Sequence, residues 1–332
     1  MRRRDFTIGL LLAGAGRTVR AQEQTKRHRI AIVISAGPVT RINDPASRYW
    51  QAFWDELRRL GDVEGQNLTV EHYSGEGRPE GFADLAREVV SRNPDVIVAI
   101  GGPITQAVSA ATGTRPIVAT GDTSLRVVPS LARPGGNITG VRVNGSEIYG
   151  KRLQILKETV PSASKVAYLD IRTFWESPAG QQDREELRKA SQILEISLTD
   201  ILVQESTSPE YQRVFAEIAL DRPDAIIVSG TSELAPYRQL IVELVEQSRL
   251  PAMYPFRLWV EAGGLMAYGT DLVELWRRMA DDVHEILNGA KPGDIPIYQP
   301  TKFEFIINLK ASKELGITIP AALLAGADEV IE

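Results

Sequence analysis

The feature that most constrains what this chain can fold into is a unit that occurs twice. Residues 92–101 read RNPDVIVAIG and residues 222–230 read RPDAIIVSG, with Asp95 and Asp224 lying 129 residues apart. Each is a short β-branched run of the kind that fills a strand buried on both faces, and each ends at a glycine. Three further segments recur in the same order. HRIAIVIS (28–35) is echoed by SKVAYLDI (164–171), NLTVEHY (67–73) by ISLTDIL (196–202), and PIVAT (116–120) by PAMYP (251–255). Four strand-like runs repeated at nearly constant offset, with helical patterns between them, predict two similar α/β halves, each built on a parallel sheet.

The first copy of the unit also predicts a ligand seat. Its strand runs into GGPITQAVSAA (101–111), where Gly101 and Gly102 allow a tight turn and Pro103 suits the first helical turn. The amides of Ile104, Thr105 and Gln106 are expected to lack intrahelical partners there. With the positive end of the helix dipole and the Thr105 hydroxyl they would hold a carboxylate or another anion. Ser35 opens the loop that leaves the first strand, at the sheet edge where open α/β folds place ligands. Asp122 follows the fourth strand at the same edge and has two readings, partner of a ligand ammonium or cap of a turn. In the second half, Thr231 and Ser232 reproduce the position of Thr105, so two helix starts are expected to face one small molecule. Trp175 and Phe174, in IRTFWESP, are loop aromatics that either stack on a ligand or dock on a neighbouring helix, and Asp170 and Arg172 could serve an amine and an anion. Tyr254 ends the last repeated strand, near the expected hinge.

Composition excludes several other functions. The chain has 332 residues and no cysteine, so it offers neither disulfides nor a thiol nucleophile. Its three histidines, His28, His72 and His284, have no metal-ligand spacing, and its aspartates do not pair at a catalytic spacing. The reading is therefore a binding protein and not an enzyme, with no cofactor and no metal. The N-terminus, MRRRDFTIGLLLAGAGRTVRAQEQ, has a basic stretch, a short apolar run and a small-x-small site at Val19-Arg20-Ala21. A signal peptide spanning residues 1–21 is expected, exported by the general or the twin-arginine route. Its removal takes away five Arg and one Asp and leaves 33 basic against 42 acidic residues, which argues against nucleic acid as a partner. No other stretch approaches the roughly 20 apolar residues that a membrane span needs.

Several motifs together resemble a known family. SLARPGGNITGV (130–141) with Asp122 upstream, EGQNLTVEHY (64–73), AGGLMAYGTD (262–271) and KFEFIINLKASKELGITIPAALLAGADEVI (302–331) are similar to the ABC-transporter substrate-binding protein family that includes tryptophan- and tyrosine-binding members. The resemblance runs from about residue 29 to 331. It implies a type I periplasmic binding protein: two doubly wound, Rossmann-like lobes, three hinge crossings, and a cleft that closes on solute. It also implies that GGPITQA matches the helix start that holds a ligand carboxylate in amino-acid binders, and that Asp122 matches the family's aspartate. Residues 28–143 and about 256–300 would form lobe 1, and 144–255 with about 301–332 lobe 2. The expected partners are a small organic solute, amino acid or aromatic carboxylate, and an ABC permease in the inner membrane that the monomeric periplasmic protein docks on transiently. A ligand-presenting sensor for a receptor is the alternative, with an enzyme on the same fold the less favoured one. The chain departs from the family after Asp122, where a proline followed by small residues is usual and Thr123, Leu125, Arg126, Val127 and Pro129 stand instead, and in the loop 170–178, which is typically asparagine- and proline-rich, so the second-lobe wall of the cleft is its own.

Overall fold

The computed structural model describes residues 27–121, 128–143, 145 and 147–332. The expected signal peptide, Asp122 and the departures from Thr123 to Val127 lie outside those residues.

Lobe 1 is laid down by β1 (His28–Ile34), α1 (Arg48–Leu60), β2 (Leu68–Ser74), α2 (Phe82–Ser91), β3 (Val96–Ile100), α3 (Gly102–Ala111), β4 (Ile117–Gly121) and β5 (Ile138–Arg142). Lobe 2 follows with α4 (Glu147–Thr159), β6 (Lys165–Ile171), α5 (Arg172–Trp175), α6 (Pro178–Ile193), β7 (Ser197–Val203), α7 (Ser208–Asp221), β8 (Ala225–Val228), α8 (Arg238–Gln247), β9 (Ala252–Tyr254), α9 (Arg257–Glu261) and β10 (Met266–Thr270). The chain then returns to lobe 1 for α10 (Leu272–Leu287). It ends in lobe 2 with β11 (Phe303–Asn308), α11 (Leu309–Leu315), α12 (Ala321–Ala325) and β12 (Glu329–Ile331).

The strand orders, β2-β1-β3-β4-β5 and β12-β11-β10-β9-β8-β6-β7, are those of two doubly wound sheets. The first is parallel throughout; in the second, only the β10–β11 pair is antiparallel. The internal repeat maps onto them strand for strand, β1 to β6, β2 to β7, β3 to β8 and β4 to β9. Its two aspartates do the same work. The Asp95 carboxylate accepts from the Arg29 amide at 2.8 Å, and Asp224 accepts from the Ser164 and Lys165 amides at 2.8 and 2.9 Å. Each ties the foot of the third strand of its half to that of the first.

Each sheet is covered on both faces, which explains why its strands read as continuous apolar runs. In lobe 1, Trp50, Phe53 and Leu57 of α1 pack with Leu275, Trp276 and Met279 of α10 on one face, while Phe82, Val89, Ile104 and Val108 fill the other. Lobe 2 is built likewise, with α7 and α8 on one face and α4, α6 and α11 on the other. The boundary expected near residue 256 falls instead at Asp271. β10 pairs in parallel with β9 and so extends the second sheet, and a side chain at Gly269 would strike the Pro255 carbonyl. α9 stays with it because Trp259 stacks on Tyr254 at 5.5 Å. The chain therefore passes between lobes after Val143, at Asp271 and at 299–303. The crossings are tied side by side: the Thr270 hydroxyl donates to the Val143 carbonyl at 2.6 Å, and the Arg142 amide to that of Tyr298 at 2.9 Å.

Candidate functional site

In a doubly wound sheet, ligands sit beyond the carboxyl ends of the strands, where the order reverses. Those points are β1/β3 in lobe 1 and β6/β8 in lobe 2, and the two face each other. Ser35 leaves β1 and Gly101 leaves β3; Ser229 to Ser232 leave β8. The lobes touch here: Ser35 Oγ lies 3.0 Å from Ser232 Oγ, and a Cβ at Gly101 would come within 2.9 Å of the same Ser232 oxygen. Around this contact is a cavity of about 200 Å³, lined from both lobes.

Its lining is both aromatic and polar. Tyr49, Trp50 and Trp276 contribute from lobe 1, and Tyr149, Phe174 and Trp259 from lobe 2. Polar groups come from Ser35, Thr120, Ser229, Thr231 and Ser232, and charges from Arg41, Arg142, Asp183 and Glu233. Gly101, Gly102 and Pro103 put the start of α3 on the cavity wall. Gly101 has φ of +107°, a conformation that favours glycine, and this lets the strand turn straight into the helix.

Of the residues expected from sequence, Ser35, Thr231 and Ser232 line the cavity. Thr105 does not: it is fully buried, and both its hydroxyl and its amide donate to the Gly101 carbonyl, at 2.8 and 3.0 Å. The Gln106 amide is spent in the helix by the i→i−4 rule, and its exposed side chain lies off the cavity. Ile104 is a core residue, so its amide, with that of Gly102, is what the first turn leaves for an anion. Trp175 is 2% exposed: the α5 turn rotates it inward, its ring 5.0 Å from Tyr168 and under the Arg184 guanidinium, and Phe174 takes the cavity wall. Tyr254 is likewise internal, and its stacking partner Trp259 faces the cavity. Tyr49, Tyr149, Trp276, Arg41, Arg142 and Asp183 carry no local signal in the sequence, since they come from separate elements of both lobes and only tertiary packing turns them to one space.

Beneath the lobe 2 wall lies a buried carboxyl group. Asp170 Oδ1 accepts from the Thr231 hydroxyl at 2.6 Å, the Ser229 hydroxyl at 2.7 Å and the Ile171 amide at 2.7 Å, while Oδ2 is buried without a partner. Burial pushes its pKa up to about 7, against the lowering pull of those donors. Glu233 is also raised by burial, with the Ser232 and Ser35 hydroxyls holding it down. Tyr149 donates to Asp183 at 2.6 Å, and Arg152, fully buried, binds the Tyr268 and Pro255 carbonyls at 2.7 and 3.0 Å. Among the described residues there is no cluster of three or more metal-binding side chains.

Two facing α/β lobes with an aromatic interlobe cavity define a solute-binding class of protein, and comparison with known proteins names the family. The chain belongs to the family described as ABC transporter substrate binding protein, whose model matches residues 42–331. A tyrosine-binding protein of Clostridioides difficile (strain R20291) is 24% identical over 270 residues, 80% of this chain and 75% of that one. A conserved domain protein from Vibrio cholerae is 26% identical with a TM-score of 0.81, and covers 92% of this chain and 100% of its own. An ABC domain in complex with L-Trp from Streptococcus pneumonia is 23% identical with a TM-score of 0.80, over the same shares.

Proposed function

We propose that this chain is the exported solute-binding component of an ABC importer, and that it takes a small organic solute, an amino acid or an aromatic carboxylate, into the cavity between its lobes. The observation that carries the reading is the meeting of the two strand-to-helix turns, Gly101–Gly102 and Thr231–Ser232, across an aromatic-walled space. The amides at the start of α3 suit an anionic group, and Ser35, Thr120 and Thr231 supply directed hydrogen bonds. Tyr49, Phe174, Trp259 and Trp276 suit a planar apolar body. Asp122, which lies outside the described residues, is proposed as the contact for a donor group on the solute. The ligands named for the relatives, tyrosine and L-Trp, support the same chemistry.

Binding begins on one lobe, the three crossings flex, and the closed form docks on a membrane permease as a monomer. The seryl contact between lobes and the Arg48–Glu261 ion pair at 3.2 Å, which joins α1 to α9, support a closed form held by few bonds. The experiment is thermal unfolding of the mature chain, stripped of bound solute, against amino acids, aromatic carboxylates, sugars and purines. A solute at 100 times its dissociation constant adds about 2.7 kcal/mol, a readily measured rise in Tm. A shift confined to sugars or purines would refute the favoured class, and consumption of the compound would refute a carrier.

A further inference from the structure

The cavity does not end at its aromatic walls. A second chamber, of about 240 Å³, continues from it between α1 and α9, and the two share Arg41, Tyr49, Phe256, Leu258 and Leu272. The second chamber carries four guanidinium groups and four carboxylates, and most of them are matched. Arg48 pairs with Glu261 at 3.2 Å and Arg257 with Glu304 at 3.0 Å. Asp44 and Asp271 are held by the backbone amides of Ala46 and Val273, at 2.9 and 2.8 Å.

Two cations remain. Arg41, in the helical turn Val39–Asn43 of lobe 1, is half-buried and makes no side-chain hydrogen bond or ion pair among the described residues. Arg238, the first residue of α8 in lobe 2, is half-buried with no carboxylate partner among the described residues; one long bond of 3.4 Å reaches the Ala235 carbonyl. Both line the second chamber, one from each lobe. A Cβ at Gly37 would lie 3.1 Å from Arg41 Nη1 and 3.3 Å from Pro236 Cγ, so the Arg41 side chain rests beside the turn that leads into Arg238.

Resting on the solute-binding reading above, we propose that the second chamber is a subsite for a second anionic group, a carboxylate at the far end of the solute's aromatic body, gripped by Arg41 from lobe 1 and Arg238 from lobe 2. A guanidinium fork is the side chain suited to bidentate capture of a carboxylate. Half-burial removes part of its water without supplying an acceptor, so an incoming anion replaces solvent rather than an existing ion pair. Because the two arginines belong to different lobes, such a group also favours the closed form: it is fully bound only when both are present. The solute class is thereby narrowed to one with anionic groups at both ends, one on the α3 amides and one between the arginines.

The test is isothermal titration of the stripped mature chain with two matched pairs, phenylalanine against 4-carboxyphenylalanine and benzoate against terephthalate. Wild type is compared with Arg41→Gln and Arg238→Gln, and each variant's unliganded melt reports its folding. The expected result is a preference of tenfold or more for the carboxylated member of at least one pair. That preference should weaken with added salt and fall about tenfold in each variant that still melts cooperatively. Equal binding within the pairs, or a preference that both variants retain, overturns the subsite and leaves the solute-binding reading standing. If no member of either pair binds, the subsite and the aromatic solute class fall together.

Discussion

At the scale of single residues, neighbours in sequence have opposite jobs. Phe174 faces the cavity and Trp175 the core, because α5 turns by about 100° per residue. Trp175→Ala is expected to cost about 3–5 kcal/mol of stability, read by denaturant unfolding. Phe174→Ala should leave the melt within about 1 kcal/mol and weaken solute binding roughly tenfold; the reverse pattern would place the wrong ring at the cavity. Asp170 has a pH signature. With its pKa pushed up to about 7, the folded chain keeps a proton that the unfolded chain releases near pH 4. Its contribution to stability is thus full at low pH and is lost as pH rises through 7. Asp170→Asn should gain on wild type by on the order of 1–3 kcal/mol between pH 5 and pH 8, measured as the difference between two melting series. No change in that difference would mean that the carboxyl group stays ionised throughout.

At the scale of elements, the β3–α3 turn joins fold to site. Its glycine serves a backbone need and a steric one, because a methyl group at Gly101 would lie 2.5 Å from Ser35 Oγ and 2.9 Å from Ser232 Oγ. The first contact is within lobe 1 and the second is across the cleft. Gly101→Ala is therefore expected to cost about 1–3 kcal/mol of stability from the strained φ. It should also reduce solute affinity at least tenfold by propping the lobes apart. Wild-type affinity in a folded variant would show that the turn does not govern closure. The Asp95 and Asp224 latches lie at the opposite ends of the strands from the site, and their repetition in sequence reports strand anchoring alone.

At the scale of the whole molecule, the two lobes are compact bodies, each with cores on both faces of its sheet, and few bonds join them outside the three crossings. That distribution makes relative lobe motion the low-energy change. In small-angle scattering the stripped chain should show a larger radius of gyration than the solute-bound chain. Identical radii would mean that solute does not alter the lobe arrangement.

The sequence by itself determined the duplicated α/β plan and the four repeated strands, because each is written in local periodicity and turn chemistry. It also placed Ser35, Thr231 and Ser232 at the cavity, since strand ends in a doubly wound sheet are ligand positions whatever the side chains do. Thr105, Trp175 and Tyr254 went the other way. A residue's place in sequence says which turn it belongs to, whereas the direction of its side chain depends on the helical rotation and on what packs against it. Only tertiary structure decided those directions, the boundary at Asp271, and the convergence of Tyr49, Trp276, Arg41 and Arg238 on one space. These are contacts between segments distant in the chain, set by how helices cover a sheet and how two lobes meet, and no local pattern encodes them.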